Sequence, residues 1–341
     1  MHGGDWAALD AITRSQLNLL DLSSSISPYG PGPKARRLWP SLVDHLDRYP
    51  DWRNGELTKT LAMHLKVDPD QVLITAGAME AIDLVIQSFR PGRIWIVVPA
   101  FGEYERRAQA HGVVVQWIEE GQELPASSGM LFLANPANPT GRLLSPADLQ
   151  AYVSWASDPD HVLVVDEAFI EFVKAWPNMS LVTDAACLPR IVVLGSLTKF
   201  YGLAGLRVGF IVARGDHVQK IAAQTLTWHV SLVAQEMAVA SLQDGAYFDA
   251  TRLWIQDEKK RLQGLLRPFG RIDCTAQANY FLFSPYKRSV SGIVAGLQAQ
   301  GILVRDAGDF KGLEEPAIRI AVKRPQDSDR LAKALEYIND Q

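Results

Sequence analysis

Short, almost entirely apolar runs alternate with longer segments in which apolar residues recur every three or four positions. The runs predict strands at Val72–Thr75 and at residues 94–98, 113–118, 130–134, 162–165, 191–194 and 208–212. Most of them lack polar alternation, which is typical of strands covered on both faces. Helical segments such as Ala78–Phe89 and the stretch after Ser145 lie between them. This repetition predicts an α/β fold with a doubly wound, mostly parallel seven-stranded sheet.

The pattern changes at about Thr227, where long helical segments begin. Helices are predicted at 233–242 and 248–266, and strands at 280–283, 302–304 and 318–322. These elements are typical of a smaller α+β domain. We therefore expect an N-terminal arm at residues 1–35 that packs with the small domain, a large domain at 36–230 and a small C-terminal domain at 231–341.

Composition and charge narrow the class of protein. The chain has 341 residues, of which 48% are hydrophobic and 21% are charged, a normal globular balance. A net charge of −4 disfavours a nucleic-acid partner, and no apolar run is long enough to cross a bilayer. The start lacks a secretory pattern, and Cys187 and Cys274 are too far apart in sequence for a disulfide framework or a spaced metal site. We expect a cytoplasmic protein without a nucleic-acid, membrane or metal partner.

Ligands of open parallel sheets bind beyond the carboxyl ends of the strands. After Val72–Thr75 the chain has small residues at 76–78 before a helix, where backbone N–H groups can approach an anion. After 130–134 it reads Asn-Pro-Ala-Asn-Pro-Thr-Gly, and the two prolines hold Asn138 at a defined place. Taken alone, the segment at 76–78 is more simply interpreted as a tight turn. A run such as Asn-Pro-Ala-Asn-Pro-Thr-Gly at a strand end is less often only a turn.

Two further strand ends carry charge. Asp166 follows a buried run, so its carboxylate needs a cation or a hydrogen-bond donor, although a helix N-cap is the simpler reading of this residue alone. The Gly-rich segment after 191–194 contains Ser196, Thr198, Lys199 and Arg207, which suit a phosphate beside an amine. The four ends together favour a ligand with a phosphate, a ring nitrogen, a phenolic oxygen and an aldehyde, as in pyridoxal phosphate.

With these motifs the sequence resembles the fold-type I pyridoxal-phosphate enzymes, and within them the group that contains histidinol-phosphate aminotransferases and threonine-phosphate decarboxylases. The resemblance implies that Lys199 binds the cofactor covalently and later moves protons, and that Asp166 pairs with the ring nitrogen. It implies ring contacts from Asn138 and Phe101. It further implies phosphate contacts from the backbone amides of Ala78 and Met79 and from the side chains of Ser196, Thr198 and Arg207.

The resemblance extends to the substrate and to a second subunit. Arg319 matches the arginine that binds the α-carboxylate, and Arg305 matches a second substrate-binding arginine. Two guanidinium groups imply a substrate with two anionic ends, such as a phosphorylated amino acid. Tyr49 resembles a tyrosine that reaches the cofactor phosphate from the other subunit, which implies a homodimer.

The start of the chain resembles N-terminal segments that lie near the substrate in the decarboxylases. His2, Gly3 and Ser25 are the matching positions, and Asn138 is expected to contact substrate as well as cofactor. Ser25 stands where the relatives have Asn, and a serine is shorter than the amide that it replaces. Phe169 stands where the aminotransferases of this group often have Tyr.

The reaction depends on which bond to the substrate α-carbon stands perpendicular to the conjugated ring. The resemblance favours decarboxylation of L-threonine O-3-phosphate to (R)-1-amino-2-propanol O-2-phosphate, a step of cobalamin biosynthesis. Transamination of histidinol phosphate or a related substrate is the alternative. A non-catalytic relative that binds pyridoxal phosphate is the third hypothesis.

Overall fold

The computed structural model describes residues 3–4 and 18–340. Its strands are β1 (Leu20–Asp21), β2 (Val72–Thr75), β3 (Arg93–Val98), β4 (Val114–Glu119), β5 (Gly129–Ala134), β6 (His161–Asp166), β7 (Ile191–Ser196), β8 (Gly209–Val212), β9 (Gly270–Ile272), β10 (Tyr280–Pro285), β11 (Ile302–Leu303), β12 (Arg305–Asp306) and β13 (Ile318–Ala321). Its α-helices are α1 (Pro33–Leu38), α2 (Gly55–Leu65), α3 (Ala78–Phe89), α4 (Glu103–Ala110), α5 (Pro146–Trp155), α6 (Val182–Cys187), α7 (Gly215–Ala222), α8 (Leu232–Leu242), α9 (Gly245–Leu266), α10 (Val290–Ala299) and α11 (Pro325–Asp340).

Seven strands form the large sheet, in the order β2-β8-β7-β6-β5-β3-β4. Neighbouring strands run parallel from β7 through β4, whereas β8 is antiparallel to both β2 and β7. Every residue of β6 and β7 is buried, because helices and loops cover both faces of the sheet. The predicted mostly parallel seven-stranded sheet is confirmed.

A second, four-stranded antiparallel sheet has the order β12-β13-β10-β9. The strand predicted at 302–304 is confirmed as β11, which pairs in parallel with β1 rather than with the four-stranded sheet. A further short strand that was not predicted, β12, follows it and pairs with β13. The β1–β11 pair joins residues of the N-terminal arm to the C-terminal elements, and the division at residues 35 and 230 stays a prediction. None of the helices in the described ranges is long and apolar enough to cross a membrane.

The register of the large sheet brings the ends of three strands to one edge. Ala134, the last residue of β5, lies opposite Asp166, the last residue of β6. Asp166 in turn lies opposite Leu194, two residues before the end of β7 at Ser196. The segments that follow these strands therefore start side by side, which is the arrangement from which a ligand site in an open sheet is built.

Candidate functional site

A cavity of about 440 Å³ lies at this edge of the large sheet. It is lined by thirteen of the residues predicted from the sequence: Gly3, Ser25, Ala78, Met79, Phe101, Asn138, Asp166, Ser196, Thr198, Lys199, Arg207, Arg305 and Arg319. His2 lies outside the described residues. Tyr49 does not line the cavity of its own chain; it is 79% exposed and packs on Trp228, with 4.8 Å between the ring centroids. Its contact with the cofactor of a second subunit stays a prediction.

Lys199 supplies the amine of the cavity. Burial, together with the charges of Arg319 and Arg207, lowers its pKa to about 8, although Asp166 acts in the opposite direction. A larger share of the amine is therefore neutral near neutral pH than in an exposed lysine, and a neutral amine is a nucleophile and a base. The backbone carbonyl of Lys199 accepts a hydrogen bond of 2.9 Å from the Ser27 N–H, so the N-terminal arm packs against the lysine loop.

Asp166 is the buried acid of the cavity. The Tyr104 hydroxyl donates to its Oδ2 at 2.5 Å, and the Ala168 N–H donates to its Oδ1 at 2.9 Å. Burial raises the pKa of Asp166, although both hydrogen bonds and the Lys199 charge oppose this rise. Tyr104 was not predicted as a site residue. Its position in the segment that follows β3, three residues after Phe101 and as the second residue of α4, was the available signal.

The turn before α3 forms an anion-binding cradle. Gly77 has a φ of +83°, and a Cβ at this position would lie only 2.7 Å from Nη2 of Arg207. Glycine therefore permits a close approach of the guanidinium to the start of α3 at Ala78, where the first N–H groups have no intrahelical partner. The hydroxyls of Ser196 and Thr198 line the same cavity, 2.6 Å apart. A cation, two hydroxyls and a helix N-terminus suit a phosphate.

Arg319 projects from β13 into the opposite part of the cavity and is only 6% exposed. Its Nη1 donates to Oδ1 of Asn138 at 2.6 Å, and its Nη2 donates to the carbonyl oxygen of Ser23 at 2.7 Å. Its Nε is buried without a hydrogen-bond partner in the described part of the chain. Burial lowers the pKa of Arg319 to about 10. A buried guanidinium that keeps an unused donor is suited to a carboxylate ligand.

The N-terminal residues that the structure describes reach the same arginine. A Cβ on Gly3 would lie 2.2 Å from the carbonyl oxygen of Ser23 and 3.2 Å from Nη2 of Arg319, so the backbone packs where no side chain fits. The Gly4 N–H donates to the Ser23 hydroxyl at 2.8 Å. Ser25 is 2% exposed, and its hydroxyl has no partner among the described residues. Gly3 therefore lies beside Arg319, and Ser25 lines the same cavity.

Arg305 lines the cavity from β12. Its Nη2 donates to both carboxylate oxygens of Asp309, at 2.7 and 2.9 Å, and its guanidinium lies 4.9 Å from the centroid of the Phe310 ring. Asp309 also lines the cavity and was not predicted from the sequence. Arg305 and Asp309 are four positions apart in the sequence. The segment that contains them is not a helix, so a helical spacing did not predict that their side chains pair.

These groups fit the cofactor that the family resemblance implies. Lys199 is a buried amine with a lowered pKa, and Asp166 is a buried acid that a protonated ring nitrogen would neutralise. The cradle at Gly77 and Arg207 suits its phosphate. Asn138 and Phe101 line the same space and are available to the ring. Arg305 and Arg319 are left for a substrate.

Comparison with known proteins gives concordant results. The model of the family "Aminotransferase class I and II" matches residues 18–335. A threonine-phosphate decarboxylase of Salmonella typhimurium is 31% identical, over 99% of this chain and 96% of the relative. The solved structure of a histidinol-phosphate aminotransferase from Clostridium acetobutylicum has a TM-score of 0.86 and 27% identity, covering 95% of this chain and 100% of that one. The solved L-threonine-O-3-phosphate decarboxylase from Porphyromonas gingivalis has a TM-score of 0.83 and 27% identity, covering 94% and 99%.

Proposed function

We propose that this chain, which belongs to the class I and II aminotransferase family, decarboxylates L-threonine O-3-phosphate to (R)-1-amino-2-propanol O-2-phosphate. This reaction would be a step of cobalamin biosynthesis. The expected fold class, the family resemblance and the cofactor, pyridoxal phosphate, are confirmed by the family match and the decarboxylase relative. The observation that carries the proposal is that Arg305 and Arg319 line one cavity with Lys199. An amine and two guanidinium groups suit an amino acid with a second anionic group.

Two observations favour decarboxylation over transamination. Gly3 packs against Nη2 of Arg319, so the segment that resembles the decarboxylases lies at the predicted carboxylate site. Phe169 lines the cavity without the hydroxyl that aminotransferases of this group often have at this position. The relative at 31% identity, which is a threonine-phosphate decarboxylase, also supports this choice.

Bound pyridoxal phosphate supplies an electron sink for the charge that develops at the substrate α-carbon. Asp166, held by Tyr104, stabilises a protonated ring nitrogen. Arg319 binds the α-carboxylate and orients the bond to be broken, while Arg305 binds the distal anion. Once carbon dioxide has left, Lys199 Nζ delivers a proton to the α-carbon. The burial of Asp166, Lys199 and Arg319 limits the access of water to the reacting atoms.

Transamination of histidinol phosphate is the second candidate, and the structural similarity to a histidinol-phosphate aminotransferase favours it. The two reactions need the same cofactor groups and differ in which α-carbon bond stands perpendicular to the ring. The deciding experiment supplies O-phospho-L-threonine without an amino acceptor and measures carbon dioxide, and in parallel supplies histidinol phosphate with 2-oxoglutarate and measures glutamate. Carbon dioxide release supports decarboxylation, whereas rapid glutamate formation without it replaces the proposal by transamination. A protein that borohydride links to the cofactor but that gives neither product indicates a non-catalytic relative that binds pyridoxal phosphate.

We further propose a homodimer that shares its sites across the interface, located in the cytoplasm. Large apolar side chains are exposed near Tyr49, among them Trp39, Val43, Leu46, Trp52 and Trp228. Mixing two weakly active variants, Lys199→Ala and Tyr49→Ala, tests the shared site. If Tyr49 completes the partner's cavity, each mixed dimer has one intact site and activity returns. A mixture no more active than its components argues against the shared site.

A further inference from the structure

Arg305, the second substrate-binding arginine, already has an anionic partner in this chain. Its Nη2 lies 2.7 and 2.9 Å from the two carboxylate oxygens of Asp309. Burial acts to raise the pKa of Asp309, but the hydrogen bond and charge of Arg305 contribute to holding it below its usual range, so the group is a carboxylate at neutral pH. The pair therefore combines opposite charges within the cavity that receives the substrate.

The two partners differ in how far they are exposed to solvent. The side chain of Arg305 is 12% exposed, and it is supported by the Phe310 ring at 4.9 Å and by the Asp306 carbonyl oxygen. The side chain of Asp309 is 51% exposed. If the ion pair opens, the half-exposed carboxylate of Asp309 is able to turn towards water, while the guanidinium stays in the cavity.

Arg319 provides the contrast within the same site. Its partners are the Asn138 amide oxygen and the Ser23 carbonyl, both of which are neutral. A carboxylate that approaches Arg319 therefore meets no fixed anion on that guanidinium. An anion that approaches Arg305 meets a carboxylate that already accepts hydrogen bonds from Nη2, and like charges repel.

We propose that Asp309 is an internal competitor for Arg305 that occupies Nη2 until the distal anionic group of a substrate displaces it, and that thereby sets the affinity of the cavity for that group. The inference rests on the proposed function in one respect, namely that this distal group binds Arg305. The exchange keeps Arg305 paired between turnovers. It also weakens the binding of phosphorylated substrate and phosphorylated product by the same factor, while an amino acid without a distal anion leaves the pair intact.

Binding measurements on the cofactor-loaded protein test this inference without requiring turnover. Inorganic phosphate, O-phospho-L-threonine and L-threonine are titrated by calorimetry into the original chain and into Asp309→Asn, which keeps the shape and removes the charge. Asp249→Asn is the matched control, because Asp249 also pairs with a well-buried arginine, Arg252, at 2.7 Å but lies outside the cavity lining. We expect Asp309→Asn to bind both phosphate ligands roughly 5-fold more tightly, with no change for L-threonine and none in the control.

A double-mutant cycle identifies the arginine involved. In an Arg305→Gln background, Asp309→Asn should no longer tighten phosphate binding, because the donors that it releases are gone. Unchanged or weaker phosphate binding in Asp309→Asn alone overturns the inference. So does an equal gain in the Arg305→Gln background. Tighter binding in a protein that neither decarboxylates O-phospho-L-threonine nor transaminates histidinol phosphate leaves the inference standing and removes the proposed function.

Discussion

The cofactor half and the substrate half of the cavity are built from different parts of the chain. Asp166 and Ser196 end neighbouring strands of the large sheet, and Lys199 follows three residues later. Arg305 and Arg319 come from neighbouring strands of the small antiparallel sheet, at positions that lie opposite each other. The cofactor half therefore depends on the register of one sheet, whereas the substrate half depends on how the C-terminal elements and the N-terminal arm meet that sheet.

The charged groups of the two halves also have different kinds of partner. In the cofactor half, Asp166 is held by a buried phenol and a backbone N–H. In the substrate half, Arg319 uses a carbonyl oxygen and an amide, and Arg305 uses a half-exposed carboxylate. The cofactor half is therefore preorganised to hold a resident group. The other half pairs its cations with groups of this chain, one of which, Asp309, we propose is displaced by a ligand.

Removing the amine should have the largest effect. We expect Lys199→Ala to lower turnover by at least about 10³-fold, because both the covalent attachment and the proton transfer are lost. Borohydride treatment followed by mass measurement should find no fixed cofactor, while Lys174→Ala, at an exposed lysine, keeps it. A variant at position 199 that still fixes the cofactor would show that another amine binds it.

Removing the guanidinium of Arg319 should affect the substrate half more than the cofactor half. We expect Arg319→Gln to raise KM by about 10²-fold, because a buried charged contact to the substrate is lost, with little change in cofactor affinity. Arg319→Lys should recover only part of this loss, since an ammonium lacks the planar fork. If cofactor affinity falls as far as KM rises, the two halves are not independent.

Removing the phenol behind Asp166 should affect the cofactor half. We expect Tyr104→Phe to weaken cofactor binding by about 10-fold, because the buried carboxylate loses a charged hydrogen bond. Fluorescence quenching measures the affinity, and the pH dependence of the bound chromophore reports on the acid. Tyr201→Phe is the matched control, since Tyr201 also donates to a carboxylate, Glu171, at 2.5 Å but does not line the cavity. Equal losses in both variants would indicate a general effect on the fold.

The pH dependence of cofactor capture should show the smallest effect. Only the neutral amine of Lys199 attacks an aldehyde, and its pKa is lowered from 10.5 to about 8. Stopped-flow mixing of the cofactor-free protein with pyridoxal phosphate should therefore show a rate that rises as the pH increases to about 8 and then levels off. A rate that continues to rise towards pH 10 would mean that burial and the neighbouring arginines do not lower this pKa.

The sequence by itself determined the seven-stranded sheet and most of the cofactor half. All seven predicted strands of the large sheet are present and shifted by few residues, because runs that are apolar at every position need cover on both faces. The cofactor groups follow directly after such strands, so a strand and its functional residue are read from one local segment. Asp166 and Lys199 are the clearest examples.

The hydrogen bond from Tyr104 to Asp166 joins residues 62 positions apart and is determined only by the tertiary structure. The tertiary structure also decided the packing of Gly3 against Arg319 and the occupation of Arg305 by Asp309. Apolar periodicity reports whether a position is buried, but it does not report which distant side chain is buried beside it. The contacts of Tyr104 and Gly3 depend on how separate segments pack together, whereas the Arg305–Asp309 pair depends on the irregular path of one short segment.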